Sequence, residues 1–196
     1  QWISGPTPDS ILKSLIFFDF RPIYGDIGLA EDLREHLAKT LIGQNLFIAK
    51  MAGVITKNTP PLSILKTFKV EKSGKHKGKL NLKINGIGPL VDSVRLFALE
   101  AGIYETATID RIKALKEKNT LFEEMGDEIE HAFDFITLLR IRNQREQMKD
   151  GQTLDNFIKP GALNSLEKKL LKKSFQVIEK IHSIMTNQYG PGMVGG

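Results

Sequence analysis

The sequence predicts a mainly α-helical bundle of several helices with a small antiparallel β-hairpin insert at about residues 65–84. Three observations predict it. Apolar residues recur at helical spacing over most of the 196 residues. Proline, glycine and capping residues punctuate these stripes at intervals that suit helices. Strict alternation occurs once, where Leu80, Leu82 and Ile84 alternate with Asn81 and Lys83.

The first helix is expected from Pro8, behind Thr7 as N-cap, with Ile11, Leu12, Leu15, Ile16 and Phe18 as its stripe. Pro22, Gly25 and Gly28 mark a loop over 19–28. A single long helix is then expected over 29–58, carrying Leu33, Leu37, Leu41, Phe47, Ile48, Met51 and Ile55, bent at Gly43 or Gly53 and stopped by Pro60-Pro61. Segments 65–72 and 79–84 form the expected hairpin. A helix follows from Pro89 to Ala101, ended by Gly102. Another runs from Thr108 to about Lys118. Thr120 with Glu123 reads as a capping box for the longest helix, which ends near Asp150-Gly151. Asn164 with Glu167 reads as a second box, opening a helix whose stripe is Leu166, Leu170, Leu171, Phe175, Ile178, Ile181 and Met185. Residues 1–189 are expected to form one helical domain and 190–196 a flexible tail.

Composition narrows the function classes. The chain has no cysteine, which excludes a disulfide framework and a thiolate metal site and fits a cytoplasmic setting. No apolar run approaches the roughly 20 residues that span a bilayer, so no membrane partner is expected. The opening Gln1-Trp2-Ile3 reads as neither an initiator nor a signal peptide, and a preceding segment is expected. The net charge of +5 owes much to seven lysines between 66 and 83, opposed there only by Glu71. Lysines on a solvated hairpin edge are the simpler reading, and nucleic-acid binding ranks below it because no aromatic ladder accompanies them.

Catalytic motifs do not emerge. Gly74-Lys-His-Lys-Gly78-Lys79-Leu80 has the wrong spacing for a phosphate loop and no hydroxyl residue after the lysine. Asp-x-Asp and Asp-x-Glu pairs that would hold Mg²⁺ beside a nucleotide are missing. Glu128/His131 and Glu179/His182 share a spacing with di-iron bundles but lack the further buried glutamates such sites need, so no metal site is expected. The chain alone is expected to transfer nothing.

Polar residues that interrupt apolar stripes supply the candidate site: Asp19, Arg21 and Asp26 after the first helix, Asp92 and Arg95 one turn apart, and Arg140 and Gln144 in the longest helix. Each lies at or near the end of a predicted helix, and they are expected to converge at one end of the bundle. Buried charge needs a partner or a ligand. The commoner outcome is structural pairing, for example Asp19 or Asp92 against Arg140. The alternative is a polar pocket facing a substrate or an adjoining domain.

The stretch Ile16-Phe-Phe-Asp-Phe-Arg-Pro-Ile-Tyr-Gly-Asp26 resembles the C-terminal substrate-binding domain of bacterial nucleotidyltransferases that also carry CBS, and often cyclic-nucleotide-binding, modules. Pro89-Leu-Val-Asp92 with Arg95, Thr108 with Arg111, Leu139-Arg-Ile-Arg-Asn-Gln144, Asp155-Asn156 and Leu166-Glu-Lys-Lys-Leu-Leu171 follow in matching order. Asn143 departs from the pattern, where the family often has histidine, so no acid–base role is expected there. The resemblance implies an upstream nucleotidyltransferase domain, akin to those that uridylylate nitrogen-regulatory proteins, with CBS domains before it. That domain would carry the metal carboxylates and take NTP and Mg²⁺, while this helical domain, which needs no cofactor itself, would help hold an acceptor. The competing readings are a homodimerisation or scaffold module built on the apolar stripes and, below it, a basic nucleic-acid-binding module.

Overall fold

A computed structural model describes residue 3 and residues 5–190, and among them it has seven α-helices and one pair of short antiparallel strands. The expected tail over 190–196 lies outside the described residues beyond Gly190. The fold class is the one expected: mainly helical with a small β element. The chain divides into two compact units, one of 1–57, 92–126 and 182–196, the other of 58–91 and 127–181. No helix among the described residues is long and apolar enough to cross a membrane.

In the first unit, α1 (Pro8–Phe17) starts with a reciprocal cap, in which Ser10 N donates to Thr7 Oγ1 at 3.2 Å and Thr7 N donates to Ser10 Oγ at 2.8 Å. The single helix expected over 29–58 is two: α2 (Ile27–Leu41), capped by Asp26, and α3 (Asn45–Ile55). Gly43 between them has φ +76°, a left-handed conformation that ends a helix rather than bending it. Independent placement of α2 also explains why Leu33, expected inward, is exposed. α3 is the buried partner of α1, with Phe47, Ile48, Met51 and Ile55 in the core and Phe18 edge-on to Phe47 at 6.2 Å between ring centroids.

α4 (Gly88–Glu100) and α5 (Thr108–Lys118) contribute Val94, Phe97, Ile112 and Leu115 to the same core. Gly102, at φ +64°, turns the chain out of α4. The cap of α6 (Thr120–Lys149) is Asn119 rather than Thr120, its Oδ1 accepting from Leu121 N at 3.0 Å. The Asn164–Glu167 box before α7 (Ser165–Tyr189) forms as expected, both side chain to backbone bonds measuring 2.9 Å. At the far end of α7, the Tyr189 phenol donates to the Glu100 carboxylate.

The second unit holds the β element. β1 (Leu80–Asn81) pairs antiparallel with β2 (Phe157–Ile158), not with the expected partner over 65–72. The 65–84 insert instead closes through an isolated Leu62–Phe68 bridge and through Glu71 N to Lys79 O and Gly78 N to Glu71 O, at 2.9 and 2.8 Å. Residues 83–87, of which 83 and 84 are expected as strand, form a π-helical turn leading into α4. Its Gly86 lies against Ile136 and Phe175, where a β-carbon would meet Ile136 Cγ2 at 3.1 Å. Of the α7 stripe, Leu171, Phe175, Ile178 and Ile181 are buried, while Leu166 and Leu170 are exposed because only one narrow face of the helix is covered.

Two glycine substitutions should therefore act with opposite signs in denaturant melts. Gly86→Ala should destabilise by about 1–3 kcal/mol through overpacking. Gly53→Ala, inside α3 with nothing within 4 Å of the added carbon, should stabilise by about 0.5–1 kcal/mol.

Candidate functional site

After α1 the backbone makes tight turns, with Asp19 N donating to Ile16 O at 3.3 Å and Phe20 N to Phe17 O at 3.1 Å. These turns deliver the Asp19 carboxylate to two arginines of the same unit. Oδ2 accepts from Arg95 Nε at 3.1 Å and also from Arg95 Nη2, and Oδ1 accepts from Arg111 Nη2. Arg95 turns its Nη1 to Asp92 on its own helix. Arg111 donates its Nε to the Glu105 carbonyl at 2.6 Å. Both arginines are buried, Arg111 at 3% exposure and Arg95 at 8%. Two guanidinium ions and two carboxylates thus cancel in charge, the condition for burying them.

The carboxylates titrate in opposite directions. Burial works to raise the Asp19 pKa, but hydrogen bonds and charge from Arg95 and Arg111 outweigh it and hold the carboxyl below its usual value. Asp92 has only Arg95, and burial, helped by the nearby Asp19 charge, pushes its pKa up.

Arg140 and Gln144 belong to the second unit and form a different network. Arg140 Nε donates to Asn156 Oδ1 at 2.6 Å, and Gln144 Nε2 donates to the same oxygen and to the Asp155 carbonyl, each at 3.3 Å. Asp155 is held by Gln147 Nε2 at 2.8 Å and by Phe157 N at 2.9 Å. Within the first unit Asp19 and Asp92 are taken by Arg95 and Arg111, and within the second Arg140 is held by Asn156. Of the expected cluster, Asp19, Asp92 and Arg95 come together within one unit, and Arg140 and Gln144 within the other. Arg21 is exposed and has no partner among the described residues. Asp26 serves as the N-cap of α2, accepting from Gly28 N at 2.9 Å.

The arginine that completes the first network, Arg111, was absent from the expected cluster. Its signal is present: it shares a helix face with Ile112 and Leu115, and a cation on a buried face calls for a carboxylate. Asn156 carries no comparable signal, since an asparagine in a loop reads as a turn residue. Among the described residues no group of three or more His, Asp or Glu is placed to hold a metal ion.

Residues 45–189 match the family model described as "Putative nucleotidyltransferase substrate binding domain". No curated protein and no solved structure matches the chain.

Replacing Asp19 by asparagine should cost about 3 kcal/mol, because Arg111 then loses its carboxylate in a buried setting. Arg140→Ala should cost only about 1 kcal/mol, the worth of one hydrogen bond. Urea melts of both variants check the contrast. The lowered Asp19 pKa also sets a sign: its stabilisation is complete above about pH 4, the usual carboxylate range, and is lost as pH falls through the folded-state value. The raised Asp92 pKa acts oppositely, favouring the folded state at low pH. Asp19→Asn should therefore flatten the acid loss of stability, and Asp92→Asn should not.

Proposed function

The chain belongs to the nucleotidyltransferase substrate-binding family, and from that premise we propose that it holds the acceptor for a signal-transduction nucleotidyltransferase of the uridylyltransferase-like type. In this reading a catalytic domain precedes it in the parent chain, together with regulatory CBS domains, in a bacterial cytoplasm. NTP and Mg²⁺ belong to that catalytic domain. The match over 45–189 is the observation that carries the proposal.

The contribution of this domain is positional. Holding the acceptor beside the bound nucleotide converts a bimolecular transfer into an effectively intramolecular one, without catalytic groups on the holding domain. The networks described above divide the labour. Asp19, Arg95, Arg111 and Asp92 pair with one another and shape the first unit. Arg140 spends its Nε on Asn156, and its two Nη groups have no partner among the described residues. A guanidinium fixed in plane by an amide, with its outer fork unspent, suits an anionic acceptor group.

The test is acceptor kinetics of the full-length parent. Arg140→Ala should lower kcat/KM for the acceptor by roughly 10–100-fold, the loss of a charge-assisted contact, while the melt of this chain shifts little. Unchanged kinetics in that variant would sink the acceptor role of Arg140.

A further inference from the structure

Within the first unit, a small cavity lies beside the segment that follows α1. Its walls include Phe18, Leu37, Leu41 and Tyr104, and two arginines line it, Arg34 and Arg111. The inner volume is about 30 Å³. One buried water needs roughly 10–15 Å³, so the space seats two water-sized groups. That inner space matches the two oxygens of one carboxylate.

Arg34 is held in orientation but not in charge. Its Nη2 donates to the Phe20 carbonyl at 3.2 Å, and its guanidinium carbon lies 5.2 Å from the centre of the Phe20 ring. These contacts use one of five donors. Glu31, Asp32 and Glu35 lie within a turn of it, yet none pairs with it, and Glu35 is taken by Lys39 at 2.6 Å. Arg111, nearly fully buried, leaves its Nη1 without a partner. Asp19 and Asp92 are taken by Arg95 and Arg111, so the half-buried Arg34 guanidinium faces the apolar wall with four of its five donors unspent. Such a charge is costly to desolvate unless an anion completes it.

We propose that this cavity binds a carboxylate at the end of a short apolar tail, with Arg34 gripping the carboxylate, Arg111 adding positive field, and the tail lying along Leu37 and Leu41. The planar fork of an arginine matches the planar carboxylate. The site is a property of this chain and holds whether or not the chain positions an acceptor for nucleotidyl transfer.

The test is a titration of the whole chain with butyrate, followed through the backbone amide signals of Gly102, Ile103 and Tyr104 and the Arg34 Nε–H signal. Saturable shifts are expected at these groups. Butyramide, of similar shape without charge, should not bind. Arg34→Gln should weaken butyrate binding by about tenfold or more, with Arg34→Lys retaining more affinity than the glutamine variant. If the glutamine variant fails to fold, the comparison of butyrate with butyramide on the unaltered chain decides. A peptide ending in a free carboxylate, paired with its C-terminal amide, identifies the source: tighter binding than butyrate assigns a chain terminus, weaker binding a free small acid. The proposal is overturned by any of four results: no saturable shift at millimolar butyrate, equal binding of butyramide, tighter binding of inorganic phosphate, or unchanged affinity in folded Arg34→Gln.

Discussion

Burying two guanidinium groups without losing stability is the constraint on which the first unit depends, and the Asp19 carboxylate meets it. One oxygen serves Arg95 and the other Arg111. Because a carboxylate is acceptor-only and planar, this arrangement fixes its position from two sides at once. The backbone that carries it, 18–20, is therefore fixed relative to α4 and α5. Arg111 passes the restraint on to the Glu105 carbonyl, in the connection between those two helices. The cavity at Arg34 follows from the same placement, since Phe18, Phe20 and Arg111 all help to line it.

Charged groups in this chain sort by whether their donors are spent. Arg95 donates from all three nitrogens to two carboxylates. Such a group has its charge matched by two carboxylates, and its role ends with shaping the unit. Arg34 and Arg140 each make one hydrogen bond, to a carbonyl and to an amide oxygen. Neutral acceptors orient a guanidinium while leaving its charge in place. Burial alone would have ranked these residues the other way, because Arg95 and Arg111 are the more deeply buried.

The sequence was legible where the interaction is local. The Thr7 and Asn164–Glu167 caps join residues three apart, and both form. Gly102 ends α4 as its position suggests. Legibility fails where two local patterns fit the same residues or where the partner is distant. The apolar spacing from Leu33 to Ile55 continues across Gly43, so periodicity could not separate a bend from a break. Leu80–Asn81 has the alternation of a strand, but alternation says nothing of the partner, which lies at Phe157–Ile158. In the candidate site, Asp19, Asp92 and Arg95 stood out as charges at the ends of apolar stripes. Arg111 did not, because α5 is rich in charge and one buried cation is hard to tell from its solvated neighbours. Arg34 lies between Asp32 and Glu35, where an ordinary surface ion pair is the natural reading.

The bond between Tyr189 and Glu100 acts at the other end of the pH scale from Asp19. Burial first, and then the hydrogen bond to the negatively charged Glu100 carboxylate, push the Tyr189 phenol above the usual tyrosine range. A raised pKa stabilises the folded state below the unfolded value, about 10 for a phenol, and that contribution is lost as pH rises through the folded value. Both groups belong to the first unit. One carboxylate that resists protonation and one phenol that resists ionisation therefore give that unit an acidic and an alkaline edge, with a broad plateau between them on which neither group titrates.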